Sequence, residues 1–157
     1  MTSATDIANN ALNVLGASNI SAFDENSKAA RIVNQRYDSI RDSVFRAHPW
    51  NCLIRRQDLA QSSTAPGFGY AHQYPLPTDP HCLRVLEFSN MKNNSGGPAF
   101  VIEGRNIVTD EGTAKIKYVA RITDPNEYDS GLIEALSMRL AAEMAYAITG
   151  STSMVQI

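Results

Sequence analysis

The sequence contains few cysteines, a single tryptophan and no long apolar run. Cys52 and Cys82 are the only thiols in 157 residues, which is too few for a disulfide framework and favours a reducing compartment. No apolar stretch approaches the roughly 20 residues that a membrane span needs, so we expect no membrane segment. The first ten residues, MTSATDIANN, lack the basic and apolar regions of a secretory signal. These shortages argue against a disulfide-stabilised secreted domain and against a membrane protein.

The motifs of common catalytic sites are also missing. The chain has no GxxxxGK[ST] phosphate loop, no GxGxxG fingerprint and no HExxH metal motif. Two histidines lie near the cysteines, at His48-Cys52 and at His81-Cys82. No recognisable base and oxyanion hole accompany either thiol, and the four side chains are too irregularly spaced for zinc. We therefore expect no enzyme, and no catalytic, cofactor-binding or metal-binding residues.

What the chain does contain is an apolar fraction of 43%, enough for a core, and an uneven distribution of charge. The net charge is −2, but residues 28–56 hold seven basic and two acidic side chains, so this stretch is +5 and the remainder is −7. Such a polarity indicates a charged docking face, with an ordinary solvated helix surface as the alternative. The candidate partner-interface residues are Lys28, Arg31, Arg41 and Arg46.

Three segments have helical periodicity, and we predict helices at residues 5–15, at residues 25–47 and from about residue 132 towards the end. Gly16 suits the left-handed position just past the first helix. Apolar residues of the second segment form a narrow seam that is suited to packing against another helix. The seam consists of Ala30, Val33, Tyr37, Ile40 and Val44.

The Pro49-Trp50 step marks a change of periodicity. Pro49 cannot continue a helix, because it lacks a backbone N–H and clashes with the preceding turn. The only tryptophan follows at once, so we expect its indole to pack where a helical part meets a β-rich part. The candidate structural joint consists of Pro49, Trp50, Arg55 and Arg56.

Residues 50–124 are typical of short strands separated by turns. We predict strands at 50–59, 68–76, 83–88, 99–103, 106–109 and 114–120, with an exposed turn at 92–97 and a hairpin turn at Gly104-Arg105. In residues 68–76, strict alternation predicts one face made of Phe68, Tyr70, His72 and Tyr74. The resulting prediction is an α+β fold, in which a bundle of about three long helices carries an antiparallel barrel or small sandwich. Its parts are helices in 1–49, a β-rich insertion in 50–124 and a helix in 125–157.

A series of short motifs carries the interpretation further. They are ALNVLG (11–16), HPWN (48–51), RR (55–56), FGYAHQYPLP (68–77), CLRV (82–85), IEGRNI (102–107), IKYVARITD (116–124) and LAAEMAYAITGS (140–151). In order and spacing, over nearly the whole chain, this series resembles the tail tubular protein A family of tailed bacteriophages, the head-to-tail adaptor or gatekeeper proteins.

The resemblance implies a structural virion protein at the head–tail junction, made in the cytoplasm of the bacterial host. Members form a ring, typically a dodecamer, between the portal protein and a downstream nozzle or tail-tube protein. DNA passes through the lumen without sequence-specific binding. The resemblance also implies a helical bundle with a β-rich insertion, and it brings no catalytic or cofactor residue. Members usually continue past the last helix, whereas this sequence stops at Ile157, so no portal contact is assigned to its C-terminus.

Two other functions stay open. A nucleic-acid-binding accessory domain would use Arg55, Arg56 and the aromatic strand, because basic residues interleaved with aromatics bind single strands. The sequence pI of about 5.9 argues against it. A small hydrolase built on Cys52 or Cys82 would need a thiol with a depressed pKa.

Overall fold

The computed structural model describes residues 2–88 and 99–150, and within them it contains three α-helices and six β-strands. The helices are α1 (Ala4–Val14), α2 (Lys28–Ala47) and α3 (Ser130–Thr149). The strands are β1 (Ile54–Leu59), β2 (His72–Pro75), β3 (Cys82–Phe88), β4 (Phe100–Glu103), β5 (Asn106–Thr109) and β6 (Ala114–Ala120). The fold is therefore α+β. The predicted turn at 92–97 lies outside the described residues.

Each helix begins at a side chain that satisfies its first free N–H groups. Ser3 and Asp6 form a reciprocal capping box on α1. The Ser27 hydroxyl accepts a hydrogen bond from the N–H of Ala30 at the start of α2. Asp129 accepts one from the N–H of Leu132 at 2.8 Å at the start of α3. Local capping therefore fixes where the helices start.

The helix ends also follow from local chemistry. Gly16, one residue past the C-cap of α1, has φ 72°, and Gly150 ends α3 with φ 70° and donates its N–H to the carbonyl of Tyr146. The predicted role of Gly16 is confirmed. Helix α2 instead ends at His48, which is extended because Pro49 follows it.

The chain divides into two compact units. The helical unit comprises Met1–His48 with Ile122–Ile157, and the sheet unit comprises Pro49–Arg121. In the helical unit, α3 packs against both α1 and α2, and all five predicted seam residues of α2 are buried. Phe45 packs edge-on against Tyr128 with ring centroids 5.3 Å apart. The hydroxyl of Tyr128 donates to the carbonyl of Ile122.

The sheet unit contains two antiparallel three-stranded sheets, with orders β1-β6-β3 and β2-β5-β4. In the first sheet β1 pairs with β6 from Ile54↔Val119 to Leu59↔Ala114, and the β3–β6 pairing is interrupted by two register shifts. In the second sheet, β4 and β5 form the predicted hairpin at Gly104-Arg105. Gly104 has φ 58°, as a two-residue hairpin turn requires.

The predicted bundle of about three long helices with an inserted barrel or sandwich is wrong. Helix α1 has only 11 residues, against 20 in each of the other two. The strands divide between two small three-stranded sheets, and within residues 2–88 and 99–150 neither sheet closes on itself. Closure into a barrel needs a continuous ladder with a consistent stagger around the whole circle. Four-residue strands such as β2 and β4, together with the register shifts of β3, do not provide one.

Side-chain hydrogen bonds to backbone carbonyls join parts of the sheet unit. The buried Tyr74 donates its hydroxyl to the carbonyl of Glu111 at 2.7 Å. Burial raises the pKa of Tyr74, and the Glu111 carboxylate raises it further. The Arg105 guanidinium donates to the carbonyls of Cys82 and Pro77 at 2.7 and 3.0 Å. These bonds hold the connections around the short strands in place.

Candidate partner interface

Three of the four predicted interface residues, Lys28, Arg31 and Arg46, lie on the exposed surface of α2. The Arg31 guanidinium contacts the side chain of Asn26, with 3.3 Å between Nη1 and Oδ1. Lys28 and Arg46 lie five turns apart on one side of the helix, given 3.6 residues per turn. Arg36 is exposed as well, but its Nη1 donates to the carbonyl of Glu143 in α3. The solvent side of α2 thus carries cations along its length.

Arg41 differs from the other three predicted interface residues, because it is buried. Only 8% of its surface is exposed, and its guanidinium lies 3.2 Å from Asp38 Oδ1 and 3.1 Å from Asp42 Oδ1. It also lies over the ring of Tyr37, 6.0 Å from the centroid. Burial raises the pKa of Tyr37; the Arg41 charge opposes that rise and the Asp38 charge adds to it. Two carboxylates of the same helix balance the Arg41 charge, so Arg41 is not part of the exposed basic surface.

The rest of the helical unit is acidic. Outside α2 its one basic residue is Arg139, which pairs with Glu143 at 3.1 Å. Eight carboxylates lie outside α2, at Asp6, Asp24, Glu25, Asp124, Glu127, Asp129, Glu134 and Glu143. The charge separation noted in the sequence is therefore present within this unit alone, between α2 and the elements around it.

A groove of about 330 Å³ lies between α1 and α3. It is lined by Asn10, Val14, Ser130, Ile133, Glu134, Ser137 and Met138. Val14 and Met138 both line the groove and are 39% and 38% exposed, so the groove presents apolar surface to solvent. The Ser137 hydroxyl is buried, and no hydrogen-bond partner for it lies in the described part of the chain. A buried hydroxyl without a partner carries a desolvation cost, which makes Ser137 an unusual residue in the wall of this groove.

The sequence reasoning missed this groove. One signal was present, a polar residue on the core face of α3. Ser137 lies next to the buried Leu136 and four residues before the buried Ala141. The wall of the groove that α1 forms depends on the angle at which α1 crosses α3, and hydrophobic periodicity alone does not give a crossing angle.

The predicted joint residues lie at the start of the sheet unit. Pro49 is exposed and Trp50 is half-buried. The backbone carbonyl of Trp50 accepts a hydrogen bond from the N–H of Leu53 in a short 3-10 turn. The Arg55 guanidinium donates to the carbonyls of Cys52 and Ile54, at 3.1 and 3.0 Å, whereas Arg56 is exposed opposite Lys117. The packing role of Trp50 stays a prediction.

The aromatic face predicted for residues 68–76 does not form. Strand β2 begins only at His72, because Gly69 takes φ 89° and the preceding residues are a loop. Phe68 is 93% exposed in that loop, while Tyr74 is 1% exposed in the core. Arg55 and Arg56 belong to the first sheet, and β2 belongs to the second. The basic and aromatic residues therefore do not lie on one face of a single sheet, the arrangement that would combine stacking with phosphate contacts.

Neither cysteine belongs to a disulfide in the structure, and Cys82 is buried while Cys52 is half-buried. His48 is exposed at the end of α2, and the carbonyl of His81 accepts a hydrogen bond from the N–H of Arg121. Within residues 2–88 and 99–150, no three His, Cys, Asp or Glu side chains are grouped so that they could hold a metal ion. None of the three described helices is both long and apolar enough to span a membrane.

A scan against models of known protein families finds none that matches this chain. A search of curated proteins finds no similar sequence either.

Proposed function

We propose that this protein is a structural component of a tailed-phage virion, a head-to-tail adaptor that forms a ring between the portal and the next tail protein. The ordered motifs over residues 11–151 support this proposal through their resemblance to the tail tubular protein A family. In this role the protein performs no catalysis. It surrounds the channel through which DNA passes.

The structural observation that carries the proposal is the separation of charge within the helical unit. A ring of identical subunits needs a heterologous contact, in which two different surfaces of the same protein match. Exposed Lys28 and Arg31 on α2 offer one such surface, and the acidic elements around α3 offer the opposite charge. Exposed ion pairs contribute only about 0–1 kcal/mol each, so we expect a monomer or weak oligomer in free solution. The portal then acts as a template on which many weak contacts add by avidity.

The nucleic-acid alternative has less support. It needs basic and aromatic side chains on one surface, and the two groups lie in different sheets and in a loop. A hydrolase based on Cys82 has less support as well, because that thiol is 1% exposed.

The test is addition of the purified protein to portal rings encoded in the same genome, followed by sedimentation and electron microscopy. We expect a ring of adaptor density on one face of each portal. A Lys28→Glu/Arg31→Glu variant should bind portals about tenfold less or weaker still, since each lost pair is repeated around the ring. The matched control, Arg56→Glu/Lys115→Glu, reverses two exposed charges in the sheet unit and should bind as the wild type does.

Acids in the first turn of α2 interact favourably with the helix dipole, so the first variant should stay folded, which circular dichroism checks. Failure of the wild-type protein to bind portals contradicts the adaptor proposal. Salt-dependent binding of short single-stranded DNA that is lost in Arg56→Glu/Lys115→Glu would instead favour the nucleic-acid alternative.

A further inference from the structure

The groove between α1 and α3 has three properties that a partner would have to match. Its walls include exposed apolar side chains, Val14 and Met138, and its rim carries the exposed carboxylate of Glu134. Its wall also contains the Ser137 hydroxyl, which has no partner among the described residues. Among the residues that line the groove, Glu134 is the only charged one, so the α3 side of this rim is acidic. A matching surface would present an apolar side chain flanked by cations and polar groups.

The first two turns of α2 present such a surface. Ile32 is half-buried on the solvent side of the helix, and the exposed Lys28 lies one turn earlier on the same face. Arg31 is exposed as well, about 100° around the helix from Ile32. The first turn of α2 contains no acidic residue, so two cations lie at the positive end of the helix dipole. That placement is unfavourable for an isolated helix and is relieved when a carboxylate approaches. The exposed cations therefore gain more from an acidic partner than cations at mid-helix would.

We propose that the α1–α3 groove of one subunit accepts the N-terminal half of α2 from a second copy of the same chain. Ile32 enters the groove between Val14 and Met138, and Lys28 and Arg31 pair with Glu134. The contact is heterologous, since the groove and the α2 surface are different parts of the helical unit. One contact therefore leaves a free α2 surface on one subunit and a free groove on the other, so the contact can be repeated to build a ring. This inference rests on the proposed ring and names the surfaces that hold neighbouring subunits together.

Cross-linking between two cysteine variants tests the contact without disturbing its centre. Ser39→Cys places a thiol on the exposed side of α2 beyond Ile32, and Ser130→Cys places one at the rim of the groove. Both are made in a Cys52→Ala background, which leaves only the buried Cys82, and one of them carries an affinity tag. The two variants are mixed at roughly millimolar concentration, at which weak contacts are populated, and treated with a flexible thiol cross-linker. We expect mixed dimers of one tagged and one untagged chain, with few dimers when either variant is treated alone.

A charge exchange identifies the ion pairs. Glu134→Lys on the groove variant should lower the yield of mixed dimer by up to about fivefold, the effect expected from an exposed pair. Lys28→Glu/Arg31→Glu on the α2 variant should restore the yield when it is combined with Glu134→Lys. Replacing Ser39→Cys by Thr113→Cys, an exposed position before β6, measures random collision and should give only background.

Several results would overturn the inference. They are an absence of mixed dimers above the Thr113→Cys background, an equal yield when one variant is treated alone, and no restoration in the charge exchange. A second arm replaces Ser39→Cys by Ser63→Cys in the loop that carries the exposed Phe68. A higher yield from that arm, lost on Phe68→Ala, would assign the groove to that loop instead.

The same proteins separate this inference from the proposed function. If rings form on portals but Ser39→Cys and Ser130→Cys do not cross-link within them, the adaptor function stands and this contact is wrong. If the mixed dimers form and the charge exchange restores their yield while portals are not bound, the contact stands and the adaptor function is wrong.

Discussion

The two units of this protein distribute their charges in opposite ways. In the helical unit, five of the six basic residues lie on α2, and eight of the ten acidic residues lie elsewhere. In the first sheet the excess is basic, because Asp58 and Glu87 are its two carboxylates, against five cations. Each carboxylate has a lysine neighbour, as in the pairing of Asp58 with Lys115 and the 3.4 Å contact between Lys117 and Glu87. A surface with an excess of one sign does not complement a copy of itself, whereas the helical unit carries both signs on separate elements. A contact between identical subunits is therefore expected in the helical unit.

The units also fill their cores differently. Helix α3 buries a row of apolar side chains, including Leu136, Leu140 and Met144, which have no exposed surface. The sheet unit buries tyrosines, Tyr74 and Tyr118, whose hydroxyls contact Glu111 and Gln57. The row on α3 therefore tests the cost of a cavity, and the buried tyrosines of the sheet unit test the cost of losing a buried hydrogen bond.

The largest effect is expected in the helical core. Leu140→Ala removes a fully buried side chain from α3 and should lower the free energy of unfolding by about 2–5 kcal/mol, from lost burial and from the cavity left behind. Met138→Ala, two residues away on the same helix but 38% exposed, is the matched control and should cost about 1 kcal/mol or less. Urea unfolding followed by circular dichroism measures both. Equal losses in the two variants would contradict the assignment of α3 faces.

A smaller effect is expected in the sheet unit. Tyr74→Phe keeps the buried ring but deletes the hydroxyl that donates to the carbonyl of Glu111, which should cost about 1–2 kcal/mol. Tyr146→Phe deletes the same hydroxyl from a residue that is 62% exposed and should change stability by about 0.5 kcal/mol or less. Thermal melts of the two variants measure the difference. If Tyr74→Phe were as stable as the wild type, polar satisfaction would not distinguish the sheet unit.

Much of the helical unit could be predicted from the sequence, because its signals are local. The buried seam of α2, the left-handed Gly16 and the break at Pro49 each depend on residues within one or two turns. The prediction of one aromatic face in residues 68–76 was wrong because it requires an extended backbone throughout. Gly69 has a positive φ, which interrupts the extended conformation. The arrangement of the sheets was wrong for a different reason. The pairing of Ile54 with Val119 joins the two ends of the β segment, and no local pattern specifies it.

The candidate interface was predicted only in part. Lys28 and Arg31 are exposed, as expected of residues off the seam. The burial of Arg41 was missed because Asp38 and Asp42 neutralise it and let its guanidinium lie over Tyr37, an arrangement that depends on side-chain conformation. The groove requires the packing of α1 against α3, which the sequence does not supply.

The groove offers a third prediction, with the opposite sign. Ser137→Ala removes a buried hydroxyl without a described partner and places a better helix former in α3, so stability should rise by about 0.5–1 kcal/mol. Ser43→Ala, at an exposed position in the C-terminal half of α2, changes only the helix propensity and is the control. Melting temperatures measured together separate the two contributions. A loss of stability in Ser137→Ala would mean that the hydroxyl is satisfied in the folded chain.

The smallest effect concerns the loop before α2. The Glu25 carboxylate accepts hydrogen bonds from the N–H and the hydroxyl of Ser21, both at 2.9 Å, and from the hydroxyl of Ser27 at 2.7 Å. These bonds, first of all the one from the Ser21 N–H, lower the pKa of Glu25 below its ordinary value of 4.5. The folded state therefore holds the ionised form more strongly than the unfolded state does. Its contribution to stability is complete above pH 4.5 and is lost as the pH falls through the lower folded value.

An NMR titration of the Glu25 carboxyl measures this shift directly. Ser21→Ala removes the hydroxyl donor but keeps the N–H donor, so we expect its midpoint to lie between that of the wild type and the ordinary value of 4.5. Stability curves between about pH 6 and pH 3 should then fall less steeply for Glu25→Gln than for the wild type, because the variant has no proton to gain at this position. A wild-type midpoint at or above 4.5 would mean that the hydrogen bonds from Ser21 and Ser27 do not stabilise the ionised carboxylate of Glu25. Lys28, the first cation of α2, would then have no carboxylate held in a fixed position before it.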